Sequence, residues 1–513
     1  MPAATSRPSP RRTLLAASSV CALIILDTNI VAVSLPSIAR DLAGTFTDLE
    51  WVVSAYLLAF AACLLPAGNL ADRFGRKRML LSGLGLFMLA SLGCGLAPGL
   101  LFLDLARALK GVGAALLLTA ALASIGHRFH DPDERARAWA FWGACMGATI
   151  TAAPVLGGLI AGSLGWRWIF FLNLPIGLLL CALVWRDVEE SRDSGSARID
   201  PLGSLTFMGG LGYLIWALID ANRAGWDSAP TYARLLLGVF LLSLFVLVER
   251  SQKRPMVDLW LLRQPRFIGA LLGMFFYAAC AQVMMTLLPL YLQNGLALPA
   301  LAAGLGMLPF ALAMLLTPRL GMRLASRHSP AAIMALGLTL VGLGNLLCAA
   351  AVNHGGYLAL ALASVVLGAG AGLLNGDTQK NIMACVPRER TGMASGMSTT
   401  TRFGAIVLAI GILGGVLTVH SEGLLSHALA EQAPAYLAQA HVMASRVAAG
   451  DMQAALANLP TALADALQGV ARQAFIGGFA LILQLAGAAA LLAALVVGLL
   501  LRQPLPVAPP RTA

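Results

Sequence analysis

Charge is what this 513-residue sequence has least of. Asp, Glu, Lys and Arg make up 12% of it, where soluble domains carry about 25%. With 58% of residues hydrophobic, too few polar side chains remain to cover a water-facing surface, and a soluble domain is excluded. Cysteine is scattered: Cys21, Cys63, Cys94, Cys145, Cys181, Cys280, Cys348 and Cys385 form no CxxC pair, which argues against a disulfide framework or a zinc site. The seven histidines show no metal-ligand spacing. His127 and His130 stand in a charged hinge without the acid, base and nucleophile set of an enzyme. There is no GxxxxGKS/T loop to support ATP-driven transport, and no cofactor is implied. Alternating strand patterns are missing too, which leaves helices to satisfy backbone groups in lipid.

What the chain does have is a succession of apolar runs, each near the length that crosses a ~30 Å hydrocarbon core. Fourteen are counted, near 13–36, 51–69, 79–97, 101–125, 138–162, 168–185, 202–220, 232–250, 267–290, 302–321, 331–351, 357–376, 395–419 and 474–501. The first exceeds the apolar core of a signal peptide and contains Asp27, so it is read as a retained helix. The net charge of +11 sits in short hinges between runs, which is unlike the basic patch of a nucleic-acid-binding fold.

With the N-terminus cytoplasmic, inner segments hold 27 of the 35 Lys and Arg, including Lys253, Arg254, Arg388 and Arg390, as the positive-inside rule requires. Both termini are then cytoplasmic. The outer segment 420–473 is long and alanine-rich, and its spacing is partly helical: a hairpin, or amphipathic helices lying on the membrane.

The chain also echoes itself. Leu70-Ala-Asp-Arg73 after helix two matches Leu324-Ala-Ser-Arg327 after helix ten. Lys110-Gly-Val-Gly-Ala-Ala-Leu-Leu117 in helix four matches Leu367-Gly-Ala-Gly-Ala-Gly-Leu-Leu374 in helix twelve. Ser34-Leu-Pro36 matches Leu287-Leu-Pro289. All three share an offset of eight helices. The expected fold is therefore all-α: two pseudo-symmetric six-helix bundles, residues 13–185 and 267–501, with an inserted pair of helices and their linkers in 186–266, and short tails 1–12 and 502–513. Repeated bundles with a site at their interface are a transporter architecture.

Ionisable residues inside such spans are costly, and each is a functional candidate by default. Asp27 lies midway along helix one, where hydrocarbon disfavours the charged carboxylate and suits it to proton exchange. In helix four, Asp104, Arg107 and Lys110 follow at i, i+3 and i+6, along one face. Arg107 is a fixed positive charge that can hold a proton network with Asp27. Asp104 has two readings, neutralising Arg107 near the outer end of the helix or handling protons or substrate. Lys110 is read as structural. Asp377, Lys380 and Arg402, near the inner ends of helices twelve and thirteen, are read as snorkelling or paired charges.

The residues also carry a resemblance. Gly68-x-Leu-Ala-Asp72-Arg73-x-Gly75-Arg76-Lys77-Arg78 resembles the signature hinge of the major facilitator superfamily. Leu26-Asp27-x-x-Ile30-Val31-x-Val33-x-Leu35-Pro36, Arg107-x-x-Lys110-Gly111-x-Gly113 and Trp166-Arg-Trp-Ile-Phe-Phe-Leu-Asn-Leu-Pro175 resemble motifs of its fourteen-helix drug:proton antiporter branch, in which glutamine is commoner where Lys110 stands. The helix-five antiporter motif is kept in part, as Pro154, Gly157 and Gly158, with Ala153 and Thr149 where glycines are usual. The likeness extends over about residues 13–501.

The resemblance implies a proton-coupled exporter of hydrophobic, often cationic compounds in the bacterial inner membrane, working by alternating access. Its partners would be such small molecules, protons and membrane lipid. It implies Asp27 and Arg107 as proton-coupling residues, to which Asp104, not usual for the family, is added from its place beside Arg107, and Gly68, Asp72, Arg73, Gly75 and Arg76 as a latch binding acidic groups of the facing bundle. The alternative is a proton symporter or a specific metabolite carrier on the same fold. Whether segment 420–473 docks a periplasmic adaptor is left open by the sequence.

Overall fold

The computed structural model describes residues 9–503 except 130, 193–200, 225–227, 252–259, 326, 355 and 387–390, together with most side chains within its helices. The tails, His130, Lys253, Arg254, Arg388, Arg390 and the side chain of Asp72 lie outside the described residues.

The described chain is a string of long helices: α1 Pro10–Leu42, α2 Phe46–Phe74, α3 Arg76–Gly95, α4 Leu100–Arg128, α5 Pro132–Ser163, α6 Trp168–Asp187, α7 Pro201–Ala224, α8 Ala229–Ser251, α9 Pro265–Asn294, α10 Ala300–Gly321, α11 Pro330–His354, α12 Tyr357–Ala384, α13 Thr391–Gln432, a short α14 Ala440–Ala449 and α15 Thr461–Leu500. Twelve of them, among the described residues, are apolar and long enough to cross a membrane. Helices α2 and α7 stand where the second and seventh spans were expected. The protein is a multi-pass helical membrane protein.

Local chemistry sets the breaks. Thr45 and Asp48 form a reciprocal capping box that starts α2. At Gly75 the backbone turns to φ +109°, a conformation that favours glycine, and ends α2 before α3 begins. Midway along α9 the helix widens into a π turn at Ala278–Gln282.

Glycines decide how closely the helices pack. In α4, a Cβ at Gly111 would collide with the Tyr56 carbonyl of α2, and one at Gly113 would lie 3.0 Å from the Phe87 amide nitrogen of α3. In α12, a Cβ at Gly368 would collide with the Phe310 carbonyl of α10, and one at Gly370 would lie 2.7 Å from the Val341 nitrogen of α11. The GxG echo thus does the same in both halves, seating each helix against the two helices at matching positions. On α4 the opposite face, Leu101, Leu105 and Leu109, is exposed and suited to lipid, while Arg107 and Lys110 point inward.

Helices α7 and α8 pack on each other, and α7 packs against α2 and α13, with Trp51 and Trp216 edge to face at 6.5 Å. The two halves meet closely on the side of the α1–α2 loop, the expected outer face. Gly158 of α5 abuts the Ala300 backbone of α10, Gly304 of α10 abuts the Pro154 carbonyl, and Gln293 donates to the Val33 carbonyl at 2.8 Å.

Segment 420–473 is built as a helical hairpin that continues the two flanking helices. Helix α13 continues to Gln432 and α15 begins at Thr461, so each is roughly 60 Å long at ~1.5 Å per residue, well beyond a ~30 Å core. Between them α14 folds inward, its Met443, Ala444, Val447 and Ala448 buried. Arg472 donates to the Gly295 carbonyl, tying the cap to α9. The physical reason is that this segment's alanines cover the ends of neighbouring helices as well as they would face lipid headgroups.

The packing gives a contrast in stability. Gly111→Ala must push α2 and α4 apart and should cost about 1–3 kcal/mol. Gly126→Ala, on the same helix but facing open space, should be neutral or stabilising by up to ~1 kcal/mol. Thermal unfolding of the two variants in detergent checks this; equal melting points would refute the close-packing account.

Candidate functional site

Five helices of the N-terminal half converge on one carboxylate. Asp27 of α1 is fully buried, as are Arg107 and Lys110 of α4, which have no more than 1% exposure. The Lys110 ammonium reaches Asp27 Oδ1 at 2.5 Å, and the Arg107 guanidinium reaches Oδ2 at 3.1 Å. Asn173 of α6 donates to Oδ1 at 2.9 Å. Ser91 of α3 accepts from Lys110 at 2.8 Å and from Asn173 at 3.0 Å, and donates to the Phe170 carbonyl. Arg107 also donates through Nε to the Val52 carbonyl of α2 and lies 4.3 Å above the Tyr56 ring. The Lys110 ammonium sits over Phe87 and Phe170, at 4.7 and 5.0 Å. Aromatic faces at such distances stabilise a desolvated cation.

The charge balance is the distinctive feature. One carboxylate faces two cations, leaving an excess of one positive charge among apolar side chains. An unpaired buried charge is strongly destabilising, and a pair is tolerated only when geometry and hydrogen bonds are good. Here both carboxylate oxygens and each cation are engaged. Of the three groups, Arg107 cannot give up its proton and is a fixed charge. Lys110, read from sequence as structural, is placed by the fold in direct contact with Asp27.

Asp104 does not join. Arg107 is taken up by Asp27 and Val52, while one carboxylate oxygen of Asp104 is buried with no hydrogen-bond partner. Sequence spacing put the two residues on one face of α4, but the guanidinium points across to α1 and α2, where a better acceptor stands. The neutralising partnership is therefore corrected.

The helix-five residues lie one turn away. A Cβ at Gly157 would be 2.8 Å from the carbonyl of Ile30, three residues beyond Asp27, while Pro154 and Gly158 form the contact with α10. This stretch of α5 thus touches both the Asp27 helix and the opposite half.

In the hinge, the acidic partner is Glu190, just after α6. Its carboxylate accepts from the Lys77 amide at 3.2 Å, lies 3.7 Å from Arg78, and fills the space a Cβ at Gly75 would need. The Lys77 ammonium donates to the Trp185 carbonyl at 2.5 Å, and the Arg76 amide to the Ser191 carbonyl. Arg73 is exposed and lies over Phe74, and a Cβ at Gly68 would meet nothing within 4 Å. These contacts all stay within the N-terminal half or the chain that leaves it.

Asn173, Ser91 and Tyr56 were not singled out from sequence. Asn173 sits within the quoted Trp166–Pro175 motif, which was the available signal; Ser91 and Tyr56 carried none. In the second half Arg402, read as an interfacial charge, instead donates to Gln282 of the α9 π turn at 2.6 Å.

A helical membrane fold of two matched halves, with a charge cluster buried in one, is the architecture of a secondary transporter, and residues 17–410 match the Major Facilitator Superfamily model: the chain belongs to that family. Among its relatives, it is 34% identical over 434 residues to the multidrug resistance protein Stp of Mycobacterium tuberculosis, covering 84% of this chain and 80% of that one. It is 31% identical over 481 residues to the multidrug efflux pump LfrA of Mycolicibacterium smegmatis, covering 94% of each. Its fold is similar to that of a bacterial homologue of the lysosomal transporter Spinster in an inward-facing, occupied conformation, with TM-score 0.64 and 16% identity over 97% of this chain and 98% of that one.

The cluster predicts a non-additive energetic pattern. Asp27→Asn strands two cations and should cost about 3–5 kcal/mol, whereas Asp27→Asn with Lys110→Gln should recover much of that loss. A double-mutant cycle of thermal or denaturant stability checks it; additive losses would contradict the pairing.

Proposed function

We propose that the protein is a proton-coupled exporter of hydrophobic, often cationic compounds, and that Asp27 and Lys110 are the groups that exchange the proton. The supporting observation is the buried cluster: Asp27 held at once by Lys110, Arg107 and Asn173, with one positive charge in excess. The efflux-pump relatives support the cargo class. In the expected orientation, with termini in the cytoplasm of a bacterial inner membrane, the contacts of α5 with α10 and of Gln293 with Val33 close the halves on the outer side.

The chemistry follows from competition for one carboxylate. A proton arriving on Asp27 weakens its hold on Lys110 and Arg107. Loss of a proton from Lys110 leaves Asp27 and Arg107 as one compensated pair, while loss from a neutralised Asp27 restores its hold on both cations. Each protonation state favours a different arrangement of α1 against α4 and α6. Through Gly157 beside Ile30, and Gly158 and Gly304 at the seam, that arrangement reaches α10 and the opening of the two halves. Asp104 has a free buried oxygen one turn towards the outer face and is assigned to the proton route between that face and Arg107. For the hinge, Gly68, Asp72, Arg73, Gly75 and Arg76 are assigned to a latch, with Glu190 as an acidic anchor; a shift of about 1.4 kcal/mol in it would change the ratio of inward to outward states tenfold.

Everted membrane vesicles give the test. With the interior acidified, wild-type protein should accumulate a fluorescent lipophilic cation, and adding that cation should alkalinise the lumen. Asp27→Asn should abolish both while protein still reaches the membrane. Co-movement of cargo and protons in one direction would instead establish the symporter reading.

A further inference from the structure

Among the buried carboxylates that the mechanism does not use, Glu50 stands at the seam between the halves. Glu50 lies in α2, five residues after the Thr45 cap, and is 2% exposed. Neither of its carboxylate oxygens has a hydrogen-bond partner. It lines a cavity of about 20 Å³, room for a single water, on the seam between the two halves. Leu35, Leu49 and Val53 contribute from the N-terminal half, and Thr286, Leu290 and Ile410 from α9 and α13 of the other. The seam is closed nearby by Gln293 bonding to the Val33 carbonyl.

The other charged groups on the elements around it are committed elsewhere. On α2 itself, Asp48 is the capping-box residue. On α1, Asp41 pairs with Arg167, Arg40 donates to Ser37, and Asp27 belongs to the cluster, as do Arg107 and Lys110 on α4. Asp220 of α7 pairs with Arg234. On α13, Glu422 binds His441 of α14, His420 packs beside Gly477 and Gly478, and Arg402 binds Gln282. Arg446 of α14 donates to the Ala454 carbonyl. Asp104 of α4 is a second unbonded acid and adds negative, not positive, charge. No described cation is bonded to Glu50.

We propose that Glu50 is a second proton-binding carboxyl, which must be neutral for the expected outer face to close. Burying an unpaired carboxylate charge costs far more than burying the acid. When the halves part on that face, the carboxyl meets water, its O–H bond breaks, and the proton passes to outside water. Reclosing requires a proton from the same side to re-form that bond. Glu50 therefore adds nothing to the number of protons carried across; it makes closure depend on external pH. The inference uses the membrane orientation adopted above for the exporter, but its test measures conformation without cargo or transport, so it fails or stands separately from the efflux assay.

Spin labels placed at Ser163 and Asn353, both exposed at the expected outer ends of the two halves, report the opening in full-length protein. Between pH 5.5 and 8.5 the long-distance population should grow several-fold with Glu50 present. Glu50→Gln, which keeps the shape and stays neutral, should hold that population at least threefold lower at pH 8.5, while Glu50→Asp should keep the pH response. Melting points of the variants establish that each is folded. An identical pH response in wild type and Glu50→Gln, or opening of Glu50→Gln at acidic pH, would overturn the proposal.

Discussion

The structure depends on one arrangement: an acid in the middle of a membrane helix, compensated by a lysine and an arginine from a single neighbouring helix. Hydrocarbon makes isolated charges costly, and opposite charges at hydrogen-bond distance offset that cost only when every donor and acceptor is used. Much of the N-terminal half serves that condition. Gly111 brings α4 against α2, beside the Val52 carbonyl and the Tyr56 ring that receive Arg107, and Gly113 seats α4 against the α3 turn that carries Ser91 near Lys110. The break at Leu172 turns α6 so that Asn173 reaches Asp27.

The two halves share a scaffold but not a charge. Arg107 aligns with Ser364, whose hydroxyl lies 4.0 Å from the Cys348 sulfur, and Lys110 aligns with Leu367. The glycine spacing is retained, while the two cations of α4 have uncharged residues at the matching positions of α12. The second half instead has a π turn in α9, a feature often found at functional sites, with Gln282 receiving Arg402. The halves therefore differ in chemistry: the first buries a charge cluster around Asp27, and the second has a π turn bonded to Arg402.

Much of this was legible in the sequence because membrane chemistry is severe. Long apolar runs, the distribution of basic residues and the scarcity of buried charge pointed to a helical transporter and to Asp27 and Arg107. Partners that meet across helices were harder to read. The i, i+3 spacing of Asp104 and Arg107 suggested a pair within one helix, yet the guanidinium turns towards α1. Lys110 looked like packing because nothing local shows that it shares a carboxylate 83 positions away. Glu50 was hidden for the same reason: it sits at the start of a span, where a charged residue usually faces water, and only the approach of α9 and α13 seals it. The alanine-rich segment near 440–449 has a pattern that fits a membrane surface or a packed cap equally well, and tertiary contacts select the cap.

The most direct test of the central claim is a count of protons released when purified protein in weakly buffered detergent near neutral pH binds a lipophilic cation. If Asp27 and Lys110 form the exchange unit, binding should release protons in proportion to bound ligand, and Asp27→Asn should release none at equal occupancy. Undiminished release from that variant would contradict the account.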